Sequence, residues 1–175
     1  MLKRTLTALI LLAAHPAVAQ TPPTQTPPTG AVAELDSFIG TTGILCESAP
    51  SALCVDSAIA FADRDGDAHL STEELSDVKS AVQDWASWPG NPASQRERGM
   101  ILLGLSMIET AGLDNLIAGM DTDGDGLVSR AELLADVQLD ERPLGEVLLD
   151  PEAVDRRAIG RRFGMLAPMI DGFFQ

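Results

Sequence analysis

Two stretches of twelve residues, Asp63–Glu74 and Asp121–Glu132, carry acidic side chains at the same four positions. In each stretch the first, third, fifth and twelfth residues are acidic, and the ninth is a serine. Four carboxylates this close in the chain repel one another, which favours an extended backbone unless a cation holds them together. The repeated pattern therefore predicts two loops that fold around metal ions.

The acidic side chains offer oxygen ligands only. In chain order they are Asp63, Asp65, Asp67 and Glu74 in the first stretch, and Asp121, Asp123, Asp125 and Glu132 in the second. Calcium suits such a set, because it takes six to eight oxygens in a flexible geometry that accepts one bidentate glutamate. Gly126, at the sixth position, permits the positive φ that a sharp turn requires. We therefore expect two bound Ca²⁺ ions.

The second stretch matches the pattern D-x-[DN]-x-[DN]-G-x₅-E at every ligand position, and the chain thus resembles the EF-hand family. The resemblance implies an all-α fold, an EF-hand pair with additional helices. It also implies ligands at the seventh position, the backbone carbonyls of His69 and Leu127, so the imidazole of His69 is expected to stay off the metal. Ser71 and Ser129, at the ninth position, are implied to ligate directly or through water, and the glutamate is implied to close each site with both oxygens.

A solvated acidic turn before a capped helix is the alternative for either loop. Ser129 and Glu132 do have the spacing of a capping box. A single Asp-rich turn would usually be no more than that, but the presence of a second copy favours the metal sites.

The first stretch departs from the family pattern at its sixth position. Ala68 stands where the family has glycine, and Gly66 lies two residues earlier. Either Ala68 adopts a strained left-handed backbone, which predicts a weaker first site, or Gly66 lets the loop turn earlier and avoids that strain.

The eighth position is aliphatic in both stretches, Leu70 and Val128. In the family this residue joins a short β-contact between paired loops, so we expect the two loops to face each other. The loops begin at positions 63 and 121 and are thus 58 residues apart, a wider interval than in most EF-hand pairs. The interval is expected to contain an additional helix or an unusually long entering helix.

The N-terminal residues predict export. Residues 1–19 combine Lys3 and Arg4, an apolar run too short to span a bilayer, and a small-residue cleavage pattern that ends at Ala19. Cleavage after Ala19 predicts a periplasmic or secreted protein. Residues 20–30 contain Thr-Pro-Pro repeats and are expected to form a disordered linker. Residues 31–175 are assigned to one helical domain.

Cys46 and Cys54 are the only cysteines in the chain. Exported proteins form disulfides readily, so these two are expected to be bonded to each other. Their spacing is not that of a Cys-x-x-Cys redox motif, and two cysteines alone rarely make a metal site.

Apolar periodicity and capping residues predict the remaining helices. They are placed near residues 31–40, 52–62, 71–85, 100–108, 113–120 and 130–139, with a last helix that begins at Asp150-Pro151. The apolar run 100–108 is predicted to be buried. So are Leu75, Val78, Val82 and Trp85 after the first loop, and Leu133, Leu134 and Val137 after the second. In the first helix, Val32, Leu35 and Ile39 are expected to share one face. Pro92 is expected to open the helix over the apolar run.

Charge and composition limit the function. A net charge of −14 argues against nucleic acid as a partner. His69 is the only histidine after the leader, and no catalytic set is visible in the sequence. A calcium-responsive adaptor for an unidentified protein partner and a calcium-stabilised module or buffer remain open, with an enzyme as a distant third.

Three features bear on a partner, and each has a plainer interpretation. Five methionines, at positions 100, 107, 120, 165 and 169, could line an adaptor groove or belong to an ordinary core. Four arginines, at positions 156, 157, 161 and 162, could meet a membrane surface or a partner, although pairing with this acidic protein is favoured. The apolar end, residues 163–174, is a candidate to fill the groove between the two EF-hands.

Overall fold

Helices account for most of residues 27–163, the part of the chain that this structure, a computed structural model, describes. They are α1 (Ala31–Cys46), α2 (Ser51–Ala62), α3 (Thr72–Ser87), α4 (Gln95–Ala111), α5 (Leu113–Met120), α6 (Arg130–Leu133), α7 (Leu144–Leu149) and α8 (Arg156–Phe163). Two short strands, β1 (His69–Leu70) and β2 (Val128–Ser129), pair antiparallel. The prediction of a mostly helical chain is confirmed.

Several predicted segments lie outside the described residues. These are the signal peptide at 1–19, the first part of the linker at 20–26, and residues 164–174 of the apolar end, which include Met165 and Met169. Of the predicted linker, residues 27–29 have no regular secondary structure, and Gly30 forms the turn before α1.

Helix α1 is longer than predicted. It continues past Gly40 to Cys46, because its buried Leu35 packs on α3 and its C-terminal end is linked covalently to α2. The side chain of Asp36 accepts a hydrogen bond from Trp85 Nε1 at 2.9 Å, which adds a polar contact between α1 and α3. Helix propensity near a glycine is a weak prior that such tertiary contacts override.

The disulfide between Cys46 and Cys54 is present, as predicted. It joins the end of α1 to α2, and the Cys54 side is buried. Such a bond fits an oxidising, exported location.

Replacing both cysteines with serine is expected to destabilise the protein by about 2–3 kcal/mol. The bond closes a loop with a sequence separation of 8. The expected loss equals the conformational entropy that closing such a loop removes from the unfolded chain. Urea unfolding of the double variant beside the natural chain measures the difference. A thiol titration that finds two free thiols in the unfolded, unreduced natural chain would contradict the bond itself.

Two apolar clusters form the core. The first is centred on Leu35, Ala81, Trp85 and Ala86, and the second on Ala62, Leu70, Ile117 and Val128. The predicted stripe on α3 divides between them, because Val82 packs on the first cluster while Leu75 and Val78 pack on the second. Of that stripe only Trp85 is fully buried, and the other three side chains are half-buried.

The additional helix expected between the loops is α4, but the prediction that its apolar run is buried is wrong. No residue of α4 is buried, and Met100, Leu102 and Leu103 are exposed. The helix begins after Ser94, whose Oγ accepts the N–H of Glu97, so Pro92 does not open it. The helix contacts α3 and α5 and leaves its exposed apolar side chains in water, which the composition of the run alone does not reveal.

Gly112, at φ 81°, separates α4 from α5. Among residues 27–163 no single helix is long and apolar enough to cross a bilayer, and α4 with α5 meets that requirement only as a pair bent by 80°.

Helix α6 is much shorter than predicted. It ends at Leu133, which is exposed, and Leu134 and Val137 are only half-buried. The chain turns because the following residues pair with residues 153–155: Gln138 N donates to Ala153 O at 2.8 Å and a bridge joins Val137 to Val154. This pairing outweighs the local helical periodicity.

The last described helix, α8, begins five residues later than predicted. Asp150 ends α7, and its side chain accepts the N–H of Glu152 at 2.8 Å. The capping role belongs instead to Asp155, whose Oδ1 accepts the N–H of Ala158 at 2.9 Å.

Candidate metal centres

Each acidic loop connects two helices and ends in the same cap. The first loop leaves α2 after Ala62, and its exit helix α3 begins at Thr72; the second leaves α5 after Met120, and its exit helix α6 begins at Arg130. In both, the serine at the ninth position accepts the N–H of the glutamate at the twelfth, and the glutamate accepts the N–H of that serine. This reciprocal cap fixes the serine and the glutamate relative to the helix start.

The two loops lie side by side because their strands pair. Leu70 is opposite Val128 in the register of β1 and β2, and these residues are only 4% and 1% exposed. Both belong to the second core cluster. The expected contact between the eighth positions is therefore confirmed, and burial of the two aliphatic side chains stabilises it.

Backbone N–H groups hold the aspartates of both loops in the same way. The first aspartate accepts the N–H groups of the fourth and sixth loop residues, at 2.7 and 2.9 Å for Asp63 and at 2.6 and 2.9 Å for Asp121. The third and fifth aspartates each accept the N–H two residues further along, at 2.8–3.2 Å. The backbone is thus wrapped around the carboxylates.

The glutamate of the first loop is tied to both ends of its loop. Glu74 Oε1 accepts the N–H of Arg64 at 2.7 Å, and its Oε2 accepts the N–H and the hydroxyl of Ser71 at 2.9 and 2.8 Å. These bonds lower the pKa of Glu74, with the backbone bond from Ser71 as the largest cause.

The glutamate of the second loop has one donor more. Ser129 donates its N–H and hydroxyl to Glu132 Oε2, both at 2.9 Å, and Thr122 donates its N–H at 2.6 Å and its hydroxyl at 2.9 Å to Oε1. The backbone bond from Ser129, followed by that from Thr122, lowers the pKa of Glu132 from 4.5 to about 2. Glu132 is therefore ionised throughout the neutral range.

Three carboxylate oxygens converge in each loop. Those of Asp63, Asp65 and Asp67 lie within 4.8 Å of one another, as do those of Asp121, Asp123 and Glu132. Such a group could hold one metal ion. Glu74 and Asp125 occupy the predicted positions in the chain but are not among these converging oxygens.

His69 turns its ring towards its own loop. Its Nδ1 lies 3.0 Å from the backbone oxygen of Asp67, and this contact raises the pKa of the imidazole. The backbone N–H of His69 donates to Asp67, and that of Leu127, at the equivalent position of the second loop, donates to Asp125, both at 2.8 Å. The two residues thus occupy matching places in the two loops.

The sixth position has a left-handed backbone in both loops. Gly126 has φ 85°, and Ala68 has φ 69°, which makes it the only non-glycine residue with a positive φ among residues 27–163. Gly66 and its counterpart Gly124 are also at positive φ, 77° and 81°. Gly66 therefore does not relieve Ala68, and the interpretation that the first loop turns earlier is wrong.

We expect the substitution Ala68→Gly to tighten cation binding by the first loop and Gly126→Ala to weaken binding by the second. The left-handed backbone costs an alanine about 1–2 kcal/mol. If the loop relaxes to another conformation when no ion is bound, this cost lowers the affinity for the ion about five- to thirtyfold. No heavy atom lies within 4 Å of a Cβ added at Gly126, so strain and not collision would cause the loss. Calorimetry on the two variants measures both changes, and an unchanged affinity in Ala68→Gly would refute the idea.

Two contacts of the second loop were missed by sequence reasoning. Thr122 was not singled out, although a hydroxyl at the second position can reach the carboxylate at the twelfth. In the first loop only the backbone N–H of Arg64 reaches Glu74, and its side chain donates to Glu34. Arg162, far away in the chain, donates to the backbone oxygen of Glu132 at 3.0 Å. No local sequence signal could have indicated that second contact.

The two loops therefore repeat one arrangement of hydrogen bonds, strand pairing and converging carboxylates. A scan against protein-family models, a search of curated proteins and a search of solved structures each found no match.

Proposed function

We propose that this chain is an exported calcium-binding protein with two EF-hand sites. The observation that carries the proposal is the position-by-position repeat of the hydrogen-bond pattern in two loops that pair through β1 and β2. A solvated acidic turn would not require the same backbone hydrogen bonds to the aspartates in both loops. Three converging carboxylates in each loop supply the charge that attracts a divalent cation.

The donor set favours calcium. Asp63, Asp65, Asp67 and Glu74 would hold one ion and Asp121, Asp123, Asp125 and Glu132 the other, with the carbonyls of His69 and Leu127 and the side chains of Ser71 and Ser129 as further ligands. All of these are hard oxygen donors, which suit calcium better than a soft metal. Mg²⁺ demands near-ideal octahedral geometry and gives up its water reluctantly, so it should bind far more weakly.

Export is supported by two independent features. The first 19 residues have the composition of a signal peptide, with cleavage after Ala19. The disulfide between Cys46 and Cys54 suits an oxidising compartment. A periplasmic or secreted calcium protein combines the two.

Calorimetry tests the proposal. The chain from residue 20 onwards, titrated with Ca²⁺, should bind two ions, and the same titration with Mg²⁺ should give a much weaker response. A stoichiometry below about two would contradict the pair of sites. Equal affinities for the two cations would contradict the assignment of calcium.

A calcium-responsive adaptor is the second candidate, and an apolar cleft favours it. The described residues that line the cleft, of about 330 Å³, are all apolar and come from α2, α3, α6, α7 and the segments beside them. Among them are Ile59, Leu75, Leu133, Leu134, Leu144 and Leu148. Among residues 27–163, no methionine lines it; Met120 packs on the second core cluster and Met100 is exposed.

The position of the apolar cleft relates it to both loops. Leu75 lies on the exit helix of the first loop and Leu133 on that of the second, so a change in either helix would alter the cleft. Binding of an apolar dye that rises with calcium would support an adaptor. Equal dye binding in calcium and in chelator would favour a static module or buffer.

A further inference from the structure

Helix α8 contacts the exit helix of the second loop through one arginine. Arg162 donates from Nη1 to the backbone oxygen of Glu132 at 3.0 Å, and its Nε lies 3.3 Å from Oδ2 of Asp136. Both side chains of this ion pair are largely shielded from water, at 17% and 15% exposure. A pair with so little access to water is weakly screened by salt. It therefore fixes α8 relative to α6 and the turn that follows α6.

The same arginine contacts the entering helix of the second loop. A Cβ added at Gly119, on α5, would lie 3.2 Å from the backbone oxygen of Arg162 and 3.8 Å from its Cγ. Gly119 comes two residues before Asp121, the first ligand position of the loop. A side chain there would press on α8, so the glycine permits the close approach of the two helices. Arg162 thus contacts both helices that flank the second loop.

The exit helix of the second loop is short. Helix α6 has only 4 residues, Arg130–Leu133. A helix of this length is not stable by itself. The exit helix of the first loop, α3, has 16 residues and places Ala81, Trp85 and Ala86 in the first core cluster. The second exit helix therefore depends on contacts from other elements, and those of Arg162 are among them.

The backbone oxygen that accepts from Arg162 belongs to a residue of the proposed second site. Glu132 occupies the twelfth position of the loop and is only 7% exposed. Arg162 holds its backbone, and Ser129 and Thr122 hold its carboxylate. A residue that is already held in place loses less conformational freedom when a ligand binds, which favours binding. Arg162 is therefore placed to strengthen calcium binding, although it is not itself a ligand.

We propose that α8 clamps the second calcium site, with Arg162 as the positioning residue that holds the entering helix α5 and the exit helix α6 in one arrangement. The second loop is then preorganised, and its two helices keep this arrangement with and without calcium. A calcium-dependent change in helix angle is left to the first loop, whose exit helix α3 contributes Leu75 to the apolar cleft. This inference rests on the proposed function, because it concerns affinity for the same ion.

Substitution of Arg162 by alanine tests the clamp. In a Glu74→Gln background, where the second site alone binds tightly, Arg162→Ala should weaken calcium binding about tenfold, the lower end of the range for loss of an outer partner. In a Glu132→Gln background it should leave the first site almost unchanged. Arg161→Ala is the matched control, since it removes the same charge from an exposed neighbour on α8. Equal second-site affinities in Arg162→Ala and Arg161→Ala would overturn the proposal.

A second substitution reaches the clamp from α5. Gly119→Ala places a methyl group against the backbone oxygen of Arg162, so α5 or α8 has to shift and the second site should weaken. The effect should be smaller in a chain that already carries Arg162→Ala, because both changes release the same contact. Gly99→Ala, on α4, is the matched control, since no heavy atom lies within 4 Å of the added Cβ. Equal effects of the two glycine substitutions, or full additivity of Gly119→Ala with Arg162→Ala, would contradict a role for α8.

Melting temperatures separate the clamp from a general effect on folding. Arg162→Ala removes the partner of a largely buried carboxylate, so the double variant Arg162→Ala/Asp136→Asn is measured beside it. The double variant should weaken the second site to the same extent. A purely structural role lowers the melting temperature equally in calcium and in chelator, whereas the clamp predicts a larger fall in calcium. Equal falls in the two solutions would refute the clamp.

Amide hydrogen exchange in chelator tests the contact of α8 with α6 when no ion is bound. The N–H of Leu134, which donates to the backbone oxygen of Arg130 at 3.1 Å, should exchange faster in Arg162→Ala than in Arg161→Ala. Equal exchange rates would show that α8 does not hold α6. A natural chain that binds no calcium would refute the proposed function. If the chain binds two ions and Arg162→Ala leaves the second affinity unchanged, the clamp alone is refuted.

Discussion

Removal of calcium is expected to lower the melting temperature of the protein by about 20 °C. An ion that binds only the native state stabilises it by about 4 kcal/mol per site at a thousand times its dissociation constant. Two such sites supply about 8 kcal/mol, and each 1 kcal/mol moves the melting temperature of a chain of this size by about 2–4 °C. The loops are coupled to the core through Leu70 and Val128, so loss of the ions should reach the whole fold.

Thermal scans in calcium, in magnesium and in chelator measure this effect. The double variant Glu74→Gln/Glu132→Gln is the control, and its melting temperature should be almost independent of calcium. A natural chain that melts at one temperature in all three solutions would show that the loops are empty or are not coupled to the core.

Substitution of Glu132 by glutamine is expected to weaken calcium binding at the second site by at least about 100-fold. Loss of an outer partner of a ligand alone costs about 10–100-fold, and this change removes a ligand charge and an oxygen. Glu74→Gln should do the same at the first site. Each variant should keep one tight site in calorimetry, with some loss at the other because the strands couple the loops.

The cap of α4 provides a control that separates metal binding from helix capping. Glu97 forms the same capping box with Ser94 that Glu132 forms with Ser129, but no acidic loop precedes it. Glu97→Gln should therefore leave both calcium affinities unchanged, while it makes the same chemical change in a comparable cap. If Glu97→Gln and Glu132→Gln had equal effects on calcium binding, the role of Glu132 would be that of a cap alone.

The local features of the loops could be predicted from the sequence because they depend on neighbours in the chain. Aspartates at fixed spacing accept N–H groups two to five residues further along, and Ser129 caps the helix that carries Glu132. The contact of Leu70 with Val128 was also predicted, since the same aliphatic position occurs in both loops. Cys46 and Cys54 are the only cysteines in the chain, so within the chain each could pair only with the other.

The conformation of Ala68 shows where local reasoning left two alternatives. The sequence allowed either a strained Ala68 or an earlier turn at Gly66. In the folded chain both residues have positive φ. Two N–H groups, from Gly66 and Ala68, donate to the single carboxylate of Asp63, and this requirement determines both backbone conformations.

Helix lengths and burial were decided by the tertiary structure. The periodicity after the second loop predicted a helix to about residue 139, but Val137 and Gln138 pair with residues 153–154 and end α6 at Leu133. Composition predicted a buried α4, yet none of its residues is buried, and Leu103 is exposed. Hydrogen bonds and apolar contacts between distant segments outweigh a local preference of a few tenths of a kcal/mol per residue. The sequence by itself therefore determined the acidic loops and the disulfide, whereas the packing of distant segments decided where the helices end and how Arg162 reaches Glu132.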